Sequence, residues 1–290
     1  MINQAGILFS LLRVKQWIKN LLLFGAIVFT GNLFEPALFL KVTMGFFIFS
    51  FASSSLYIMN DIRDMNEDLH HPAKRHRPIA AGLVNTKTAF AMSIILLLLS
   101  LSGAYFLNLN FFYILLIYII MTTLYTLKLK HMVILDVFVV AAGFVLRPIA
   151  GAYIINASIS PWLLICASLL ALFVVLSKRK YELETLEESH KHRKILSEYS
   201  VPLLNEMTSI VTASTVIAYS LYTFTSETAS EHHFLMFTIP FVLYGIFRYL
   251  YLMHKKNLGG APELIFLKDK AMIIDIFLWV LSVIIIMYFL

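Results

Sequence analysis

The chain has 290 residues, of which 60% are hydrophobic and only 14% are charged, and its mean hydropathy is +0.81. Soluble domains are about half apolar and a quarter charged, so this composition excludes a water-soluble fold, and it excludes intrinsic disorder as well. The single cysteine, Cys166, excludes an intramolecular disulfide. The composition therefore predicts an all-α, polytopic membrane protein with one integral-membrane domain over residues 1–290.

Nine apolar segments are long enough to cross the roughly 30 Å hydrocarbon core of a bilayer as helices. The first is the weakest, because it is short and contains Gly25 and Gly31. In chain order the nine predicted spans are 17–34, 37–59, 87–107, 110–128, 132–155, 160–177, 203–225, 234–253 and 271–289.

The basic residues are concentrated in alternate connections between these spans. The four polar connections are 60–86, 128–131, 178–202 and 254–270. The four short connections, which contain no Lys or Arg, are 31–36, 108–109, 156–159 and 226–233. Cytoplasmic loops are enriched in Lys and Arg, so we expect the N-terminus and the polar loops in the cytoplasm and Leu290 outside. The net charge of +6 then reflects membrane orientation, and we expect no nucleic-acid partner.

The first polar loop begins with acidic residues at helical spacing. If the second span continues beyond the bilayer, Asp61, Asp64 and Asp68 lie on one face of one helix. Like charges this close repel unless a cation lies among them, and carboxylates without His or Cys suit a hard ion such as Mg²⁺. Asn60 can coordinate or hydrogen-bond at the same place. The pattern predicts a magnesium site with the three aspartates as metal ligands and Asn60 beside them.

Basic residues follow six positions after Asp68, at Lys74, Arg75 and Arg77. An acidic cluster followed by a basic one is expected of a site for a metal and a diphosphate, because Arg and Lys neutralise the oxygens that the metal does not reach. The alternative is a solvated loop whose charges only set membrane orientation. The helical register of the aspartates favours the site.

These motifs resemble those of the UbiA superfamily of intramembrane prenyltransferases. The segment Asn60-Asp-x-x-Asp64-x-x-x-Asp68 matches the superfamily motif N-D-x-x-D-x-x-x-D, at the expected place after the second span. The chain is most similar to the decaprenyl-phosphate phosphoribosyltransferase branch. The segments that carry this closer resemblance are 14–20, 71–82, 125–131, 143–151, 178–183 and 260–263 with Asp269.

The resemblance implies an enzyme whose helices surround a cavity open to the cytoplasm and to lipid. It implies transfer of 5-phosphoribosyl from 5-phosphoribosyl 1-diphosphate to a polyprenyl phosphate at the cell membrane, with Mg²⁺ neutralising the departing diphosphate. The residues that would bind the substrates are Lys19, Lys74, Arg75, Arg77, Tyr125, Lys130, Lys178, Arg179 and Glu182. Asn20 lies beside Lys19 on the path of the acceptor phosphate. The acceptor's chain length and assembly into a homo-oligomer stay open.

Two other functions are weighed against this one. An aromatic prenyltransferase of the superfamily would carry a second Asp-rich motif after the sixth span, but the chain has no aspartate between Val137 and Lys268. A transporter would place its polar groups near the bilayer midplane, usually between paired repeats. Here the polar groups gather at one membrane face, and no repeat is visible.

Ionisable residues lie inside several predicted spans, where a charge is costly, and among them are Asp136, Arg147, Arg248 and Asp275. Asp136 and Arg147 are eleven positions apart, so they would stand about 16 Å apart on one helix face and cannot pair. Asp136 is a further candidate for the site, and we expect Arg147 to meet another buried polar group or a lipid phosphate. Arg248 and Asp275 lie at equal depth, which predicts an ion pair between them.

Overall fold

The fold is described by a computed structural model over residues 4–70, 74–158, 160–185, 194–256, 265 and 268–290. Motif residues 71–73 and 260–263 lie outside this range. Within it the chain is helical and contains no β-strand. Its α-helices are α1 (Gln4–Leu11), α2 (Phe24–Phe29), α3 (Pro36–Arg63), α4 (Met65–His70), α5 (Thr86–Leu107), α6 (Leu109–Leu127), α7 (Leu135–Ile154), α8 (Pro161–Thr185), α9 (Val201–Thr225), α10 (Glu227–Glu231), α11 (Ile239–Lys256) and α12 (Lys270–Phe289). Its 3₁₀ segments are Val14–Leu23, Lys74–His76, Leu129–His131, Lys194–Glu198 and His233–Thr238.

Eight helices in the described ranges are long and apolar enough to cross a membrane. They are α3, α5, α6, α7, α8, α9, the segment His233–Lys255 that includes most of α11, and α12. They coincide with eight of the nine predicted spans. The prediction of a continuous helix over 17–34 is wrong, because this part of the chain is a 3₁₀ segment, Val14–Leu23, followed by the short helix α2. The count of nine is therefore not confirmed.

Polar residues between the apolar segments set the helix boundaries. The side chain of Asn85 accepts a hydrogen bond from the backbone N–H of Lys87 at 2.8 Å and so caps α5. Asn108 ends α5 and caps α6, while Asp269 caps α12 through the N–H of Met272 at 2.9 Å. These side chains satisfy backbone donors that a helix leaves unpaired at its N-terminus.

The chain divides into two compact units. The first comprises Met1–Ile27, Phe34–Leu129 and Leu146–Ala157. Inside it, α3 packs closely on α5, and the Ser55 hydroxyl donates to the Ser93 carbonyl at 2.8 Å. Small residues on α3 permit this close approach, as is usual between membrane helices.

The second unit comprises Val28–Leu33, Lys130–Val145 and Ser158–Leu290. Its helices α8 and α9 pack against each other over much of their length. Buried clusters of apolar side chains fill the unit, and in one of them the Trp279 ring N–H donates to the hydroxyl of Tyr219 at 2.9 Å. The prediction that residues 1–290 act as one domain stays a prediction.

Candidate active site

Two acidic side chains lie side by side where α3 gives way to α4. Asp61 and Asp68 are only 3% and 2% exposed. Both accept a hydrogen bond from the same Nη1 atom of Arg77, Asp61 at 3.0 Å and Asp68 at 2.6 Å. Because one guanidinium nitrogen bonds both carboxylates, their mutual repulsion is offset by a positive charge between them.

A turn between α3 and α4 produces this arrangement. The backbone at Asp64 has φ −87° and ψ 9°, and the Asn60 side chain donates to the Asp64 carboxylate at 2.9 Å. The single helix that the register of Asp61, Asp64 and Asp68 assumed is interrupted at Asp64, because α3 ends at Arg63 and α4 begins at Met65. Asp64 is half-buried beside Asn60, whereas the other two aspartates are buried together.

The three aspartates do not form a ready-made ligand set. In the part of the chain that the structure describes, no group of three His, Cys, Asp or Glu side chains is arranged to hold a metal ion. The structure instead presents a carboxylate pair with a guanidinium between its members.

The basic segment after α4 brings some of its predicted residues to the acid pair. The 3₁₀ turn Lys74–His76 is followed by Arg77, whose N–H donates to the Lys74 carbonyl at 2.9 Å. The Lys74 ammonium lies 3.9 Å from Asp68 Oδ1. Arg75 is exposed and contacts the ring of His76 at 3.4 Å. Lys74 and Arg77 are thus at the acid pair, and Arg75 points elsewhere.

Arg13 also reaches this site, and sequence reasoning missed it. Its Nη2 atom donates to Asp61 Oδ1, and its guanidinium lies 4.9 Å from the ring centroid of Tyr57. The backbone of Arg13 is left-handed, with φ +50°. Arg13 stands immediately before the motif at 14–20, but a contact across 48 positions leaves no signal in spacing or hydropathy.

The segment that follows Arg13 is fastened to α3 by polar side chains. The Trp17 ring N–H donates to the Ser54 hydroxyl at 3.0 Å, and the Asn20 amide donates to the Ser50 hydroxyl at 2.9 Å. Asn20 also accepts from Nε of Arg147 at 2.7 Å. This confirms the expectation that Arg147 meets a buried polar group, and it gives Asn20 a place in the interior.

The guanidinium of Arg147 also has aromatic neighbours. It lies 5.3 Å from the ring centroid of Phe49 and 5.2 Å from that of Tyr118. Stacking of this kind compensates part of the cost of a buried cation. Three other predicted substrate-binding residues are half-buried: Lys19, Tyr125 and Lys130.

The second unit contains a separate buried network around Asp136. Nε of Arg179 donates to Asp136 Oδ2 at 2.9 Å, and its Nη1 donates to Glu182 at 2.6 Å. Arg179 is 3% exposed and Asp136 is fully buried. Asp136 and Glu182 therefore accept hydrogen bonds from two of the three guanidinium nitrogens of Arg179. Its predicted neighbour Lys178 is half-buried.

Tyr199 completes this network. Its hydroxyl donates to Asp136 Oδ1 at 2.7 Å and accepts from the N–H of Ile134 at 2.8 Å. Ile134 has φ +69°, a conformation that is unusual for a β-branched residue. Burial raises the pKa of Tyr199 to about 12, and the hydrogen bond to Asp136 acts in the same direction. The structure thus brings Asp136 together with Arg179, although sequence spacing could not identify its partner.

The predicted ion pair between Arg248 and Asp275 is wrong. Arg248 makes a bidentate bridge to Asp269, with Nε to Oδ1 at 3.0 Å and Nη2 to Oδ2 at 2.8 Å. This geometry is favoured because the guanidinium fork matches a carboxylate. The hydrogen bond from Arg248 lowers the pKa of Asp269, and the N–H of Met272 adds to the effect. Asp275 is buried next to Gly245, where a Cβ would lie 2.9 Å from Asp275 Oδ2.

Comparison with known proteins identifies the family. The decaprenyl-phosphate phosphoribosyltransferase of Mycobacterium tuberculosis is 33% identical over 96% of this chain and 93% of its own length. The enzyme of the same name from Corynebacterium glutamicum is 31% identical, over 99% of this chain and 88% of its own length.

Solved structures show the same fold. A UbiA homolog from Archaeoglobus fulgidus, bound to GPP and Mg²⁺, superposes with a TM-score of 0.74 at 21% identity, covering 95% of this chain and 98% of the other. A family model described as the UbiA prenyltransferase family matches residues 21–288. The chain is an integral, multi-pass membrane protein and belongs to the UbiA prenyltransferase family.

Proposed function

We propose that this protein transfers the 5-phosphoribosyl group from 5-phosphoribosyl 1-diphosphate to a polyprenyl phosphate and releases diphosphate. The observation that carries the proposal is the buried pair Asp61 and Asp68, surrounded by cationic side chains, in a chain whose described ranges contain eight apolar spans. The relatives named for phosphoribosyl transfer to decaprenyl phosphate align over nearly the whole chain, which supports the same substrate class.

The acid pair fits a divalent metal ion. Its donors are carboxylate oxygens, the ligands that Mg²⁺ prefers, and the two side chains already enclose a cation in the form of Arg77. Asp61 and Asp68 would hold the ion, and Asp64 with Asn60 lies next to them. When bound, Mg²⁺ supplies positive charge to the oxygens of the leaving diphosphate. The A. fulgidus homolog was solved with Mg²⁺, which supports use of this metal.

Arg13, Lys74 and Arg77 are the residues we assign to the donor's phosphate groups. Each lies within 4 Å of an acid-pair carboxylate and retains an exposed fraction, from 21% for Arg13 to 43% for Lys74. Guanidinium groups bind phosphate oxygens through paired, charge-assisted hydrogen bonds. Substrate contacts by Lys19, Arg75, Tyr125, Lys130, Lys178, Arg179 and Glu182 remain predictions.

The reaction needs placement and charge stabilisation more than proton transfer. An oxygen of the acceptor phosphate forms a bond to the anomeric carbon, and the bond from that carbon to the diphosphate oxygen breaks, with its electron pair leaving on the diphosphate. The acceptor oxygen is already anionic, so no general base is required. The cationic side chains stabilise the charge that develops on the leaving group.

The acceptor's lipid tail explains why the enzyme is embedded in a membrane. Large apolar side chains cover the outside of the helices, for example Phe106 at 85% exposure and Phe289 at 73%. Exposed apolar surface of this kind is typical of contact with a membrane. We place the protein in the cell membrane, with the N-terminus and the polar loops in the cytoplasm and Leu290 outside.

One assay tests the proposal. The purified protein is incubated with labelled 5-phosphoribosyl 1-diphosphate, Mg²⁺ and polyprenyl phosphate, and label is measured in the organic phase. We expect lipid-linked label that disappears when the metal is chelated. No lipid-linked label, together with alkylation of an aromatic acid by an allylic diphosphate, would establish the aromatic prenyltransferase instead.

A further inference from the structure

Protein cations neutralise the acid pair in this structure. Arg77 Nη1 donates to both Asp61 and Asp68, and Arg13 donates to Asp61. The two carboxylates and the two guanidinium groups carry no net charge together, and the Lys74 ammonium, 3.9 Å from Asp68 Oδ1, adds a further positive charge beside them. The carboxylates are buried, whereas the two arginine side chains are 24% and 21% exposed. The cationic members of the cluster are therefore the ones with access to solvent.

We propose that Arg77, assisted by Arg13, occupies the cation position between Asp61 and Asp68 in the metal-free protein and passes to the donor's phosphate oxygens when metal and diphosphate bind together. This inference rests on the proposed function and deepens it. It assigns to Arg13 and Arg77 a second task besides binding phosphate, which is to keep the free metal ion out of the acid pair.

Charge explains why the two ligands would bind together. A free divalent ion that enters the pair must displace Arg77 and then stand next to two guanidinium groups, and like charges a few ångströms apart repel strongly at a partly buried site. A metal–diphosphate complex brings anionic oxygens with it. These oxygens accept the hydrogen bonds that the arginines give up, so each guanidinium exchanges one anionic partner for another.

The backbone around both arginines suits such an exchange. Arg77 follows a single 3₁₀ turn, and its carbonyl accepts from the N–H of Ala81 at 2.8 Å in the short connection to α5. Arg13 lies between α1 and the segment Val14–Leu23 in a left-handed conformation. Neither arginine lies inside a long helix, whereas Asp61 is fixed near the end of α3.

The test measures metal affinity directly. Binding of Mn²⁺ to the purified full-length protein is followed by electron paramagnetic resonance, with Mn²⁺ as the probe and no phosphate present. We expect Arg77→Gln to bind Mn²⁺ about tenfold more tightly than wild type, because the carboxylate pair loses its competing cation. Arg77→Lys retains the charge and should stay closer to wild type.

A second measurement uses retention of labelled 5-phosphoribosyl 1-diphosphate at a fixed Mn²⁺ concentration, without lipid acceptor. Here Arg77→Gln should bind about tenfold more weakly, the opposite direction to its effect on Mn²⁺ alone. Arg63→Gln is the matched control, since Arg63 lies at the end of α3 but donates to the backbone carbonyl of Thr126 at 2.9 Å. It should change both affinities by less than about twofold.

Unchanged or weaker Mn²⁺ binding by Arg77→Gln overturns the inference. If this variant does not fold, Arg13→Gln is measured in its place, and its Mn²⁺ affinity must rise for the inference to stand. If the wild-type protein transfers phosphoribosyl but Arg77→Gln shows no gain in Mn²⁺ affinity, the arginine exchange is wrong and the proposed reaction stands. If the wild-type protein produces no lipid-linked label but Arg77→Gln binds Mn²⁺ more tightly, the proposed reaction is wrong and the arginine exchange stands.

Discussion

At the scale of single residues, Asp68 provides a direct test of the acid pair. Asp68→Asn keeps the size of the side chain but removes its charge, so both the metal and Arg77 lose an anionic partner. We expect phosphoribosyl transfer to fall by roughly 100-fold or more, as is usual when electrostatic stabilisation of a transition state is removed. The measurement is initial rate in the lipid-label assay.

Glu67 is the matched control for this change, because it is the adjacent acidic residue in α4 and is exposed. Glu67→Gln should retain activity within about twofold. Equal activity of Asp68→Asn and wild type would show that the acid pair takes no part in the reaction.

Tyr199 provides a test of the network in the second unit. Tyr199→Phe removes a hydroxyl that donates to buried Asp136 and accepts from Ile134. We expect a loss of about 1–3 kcal/mol in the free energy of unfolding, because a buried carboxylate loses a donor. The free energy of unfolding is measured in detergent. The control is Tyr244→Phe, at an exposed tyrosine of α11, which should have little effect.

The same network predicts a dependence on pH. Since the pKa of Tyr199 is raised from 10 to about 12, the unfolded chain loses this proton at a lower pH than the folded protein. The contribution of the Tyr199 hydroxyl to the free energy of unfolding is therefore complete below pH 10 and is lost as the pH rises toward 12. Wild type should therefore lose its stability advantage over Tyr199→Phe across this interval; a constant difference would contradict the assignment.

At the scale of helices, hydropathy predicted eight spans well, because a long apolar run has few alternatives in a membrane. Hydropathy could not predict the 3₁₀ segment Val14–Leu23, which depends on bonds from Trp17 and Asn20 to serines of α3. The spacing of charged residues likewise indicated the acidic and basic clusters, but it could not indicate the contact between Arg13 and Asp61. Partners distant in sequence follow from packing, which spacing does not encode.

Close packing of the segment Val14–Leu23 on α7 gives a prediction at the scale of helices. A Cβ at Gly151 would lie 2.0 Å from the carbonyl oxygen of Leu23, and the backbone would have to move. Gly151→Ala should cost about 1–3 kcal/mol of stability, the usual range for overpacking. Gly25→Ala is the control, because nothing lies within 4 Å of its Cβ. Thermal unfolding of the two variants should separate them clearly; equal midpoints would contradict the close approach.

At the scale of the whole molecule, the segment before α3 bears on how often the chain crosses the membrane. Arg13 contacts Asp61 near the C-terminal end of α3, and the ring of Phe24 packs in a tilted arrangement against that of Phe39 near its N-terminal end, with ring centroids 5.7 Å apart. The segment therefore runs antiparallel to α3. Ten residues of 3₁₀ helix rise about 20 Å and the six of α2 about 9 Å, so together they match the ~30 Å hydrocarbon core.

We therefore predict that residues 14–29 cross the membrane despite lacking a long α-helix. The native cysteine, Cys166, is buried, and it is first replaced by alanine so that each variant carries a single cysteine. Lys15→Cys and Glu35→Cys, both at exposed positions, should lie on opposite sides: an impermeant maleimide should label Glu35→Cys in intact cells and Lys15→Cys only after lysis. Glu231→Cys and Lys128→Cys are the outer and inner references. If Lys15→Cys and Glu35→Cys label alike, the segment does not cross; labelling of both in intact cells would put the N-terminus on the outer side with Glu35.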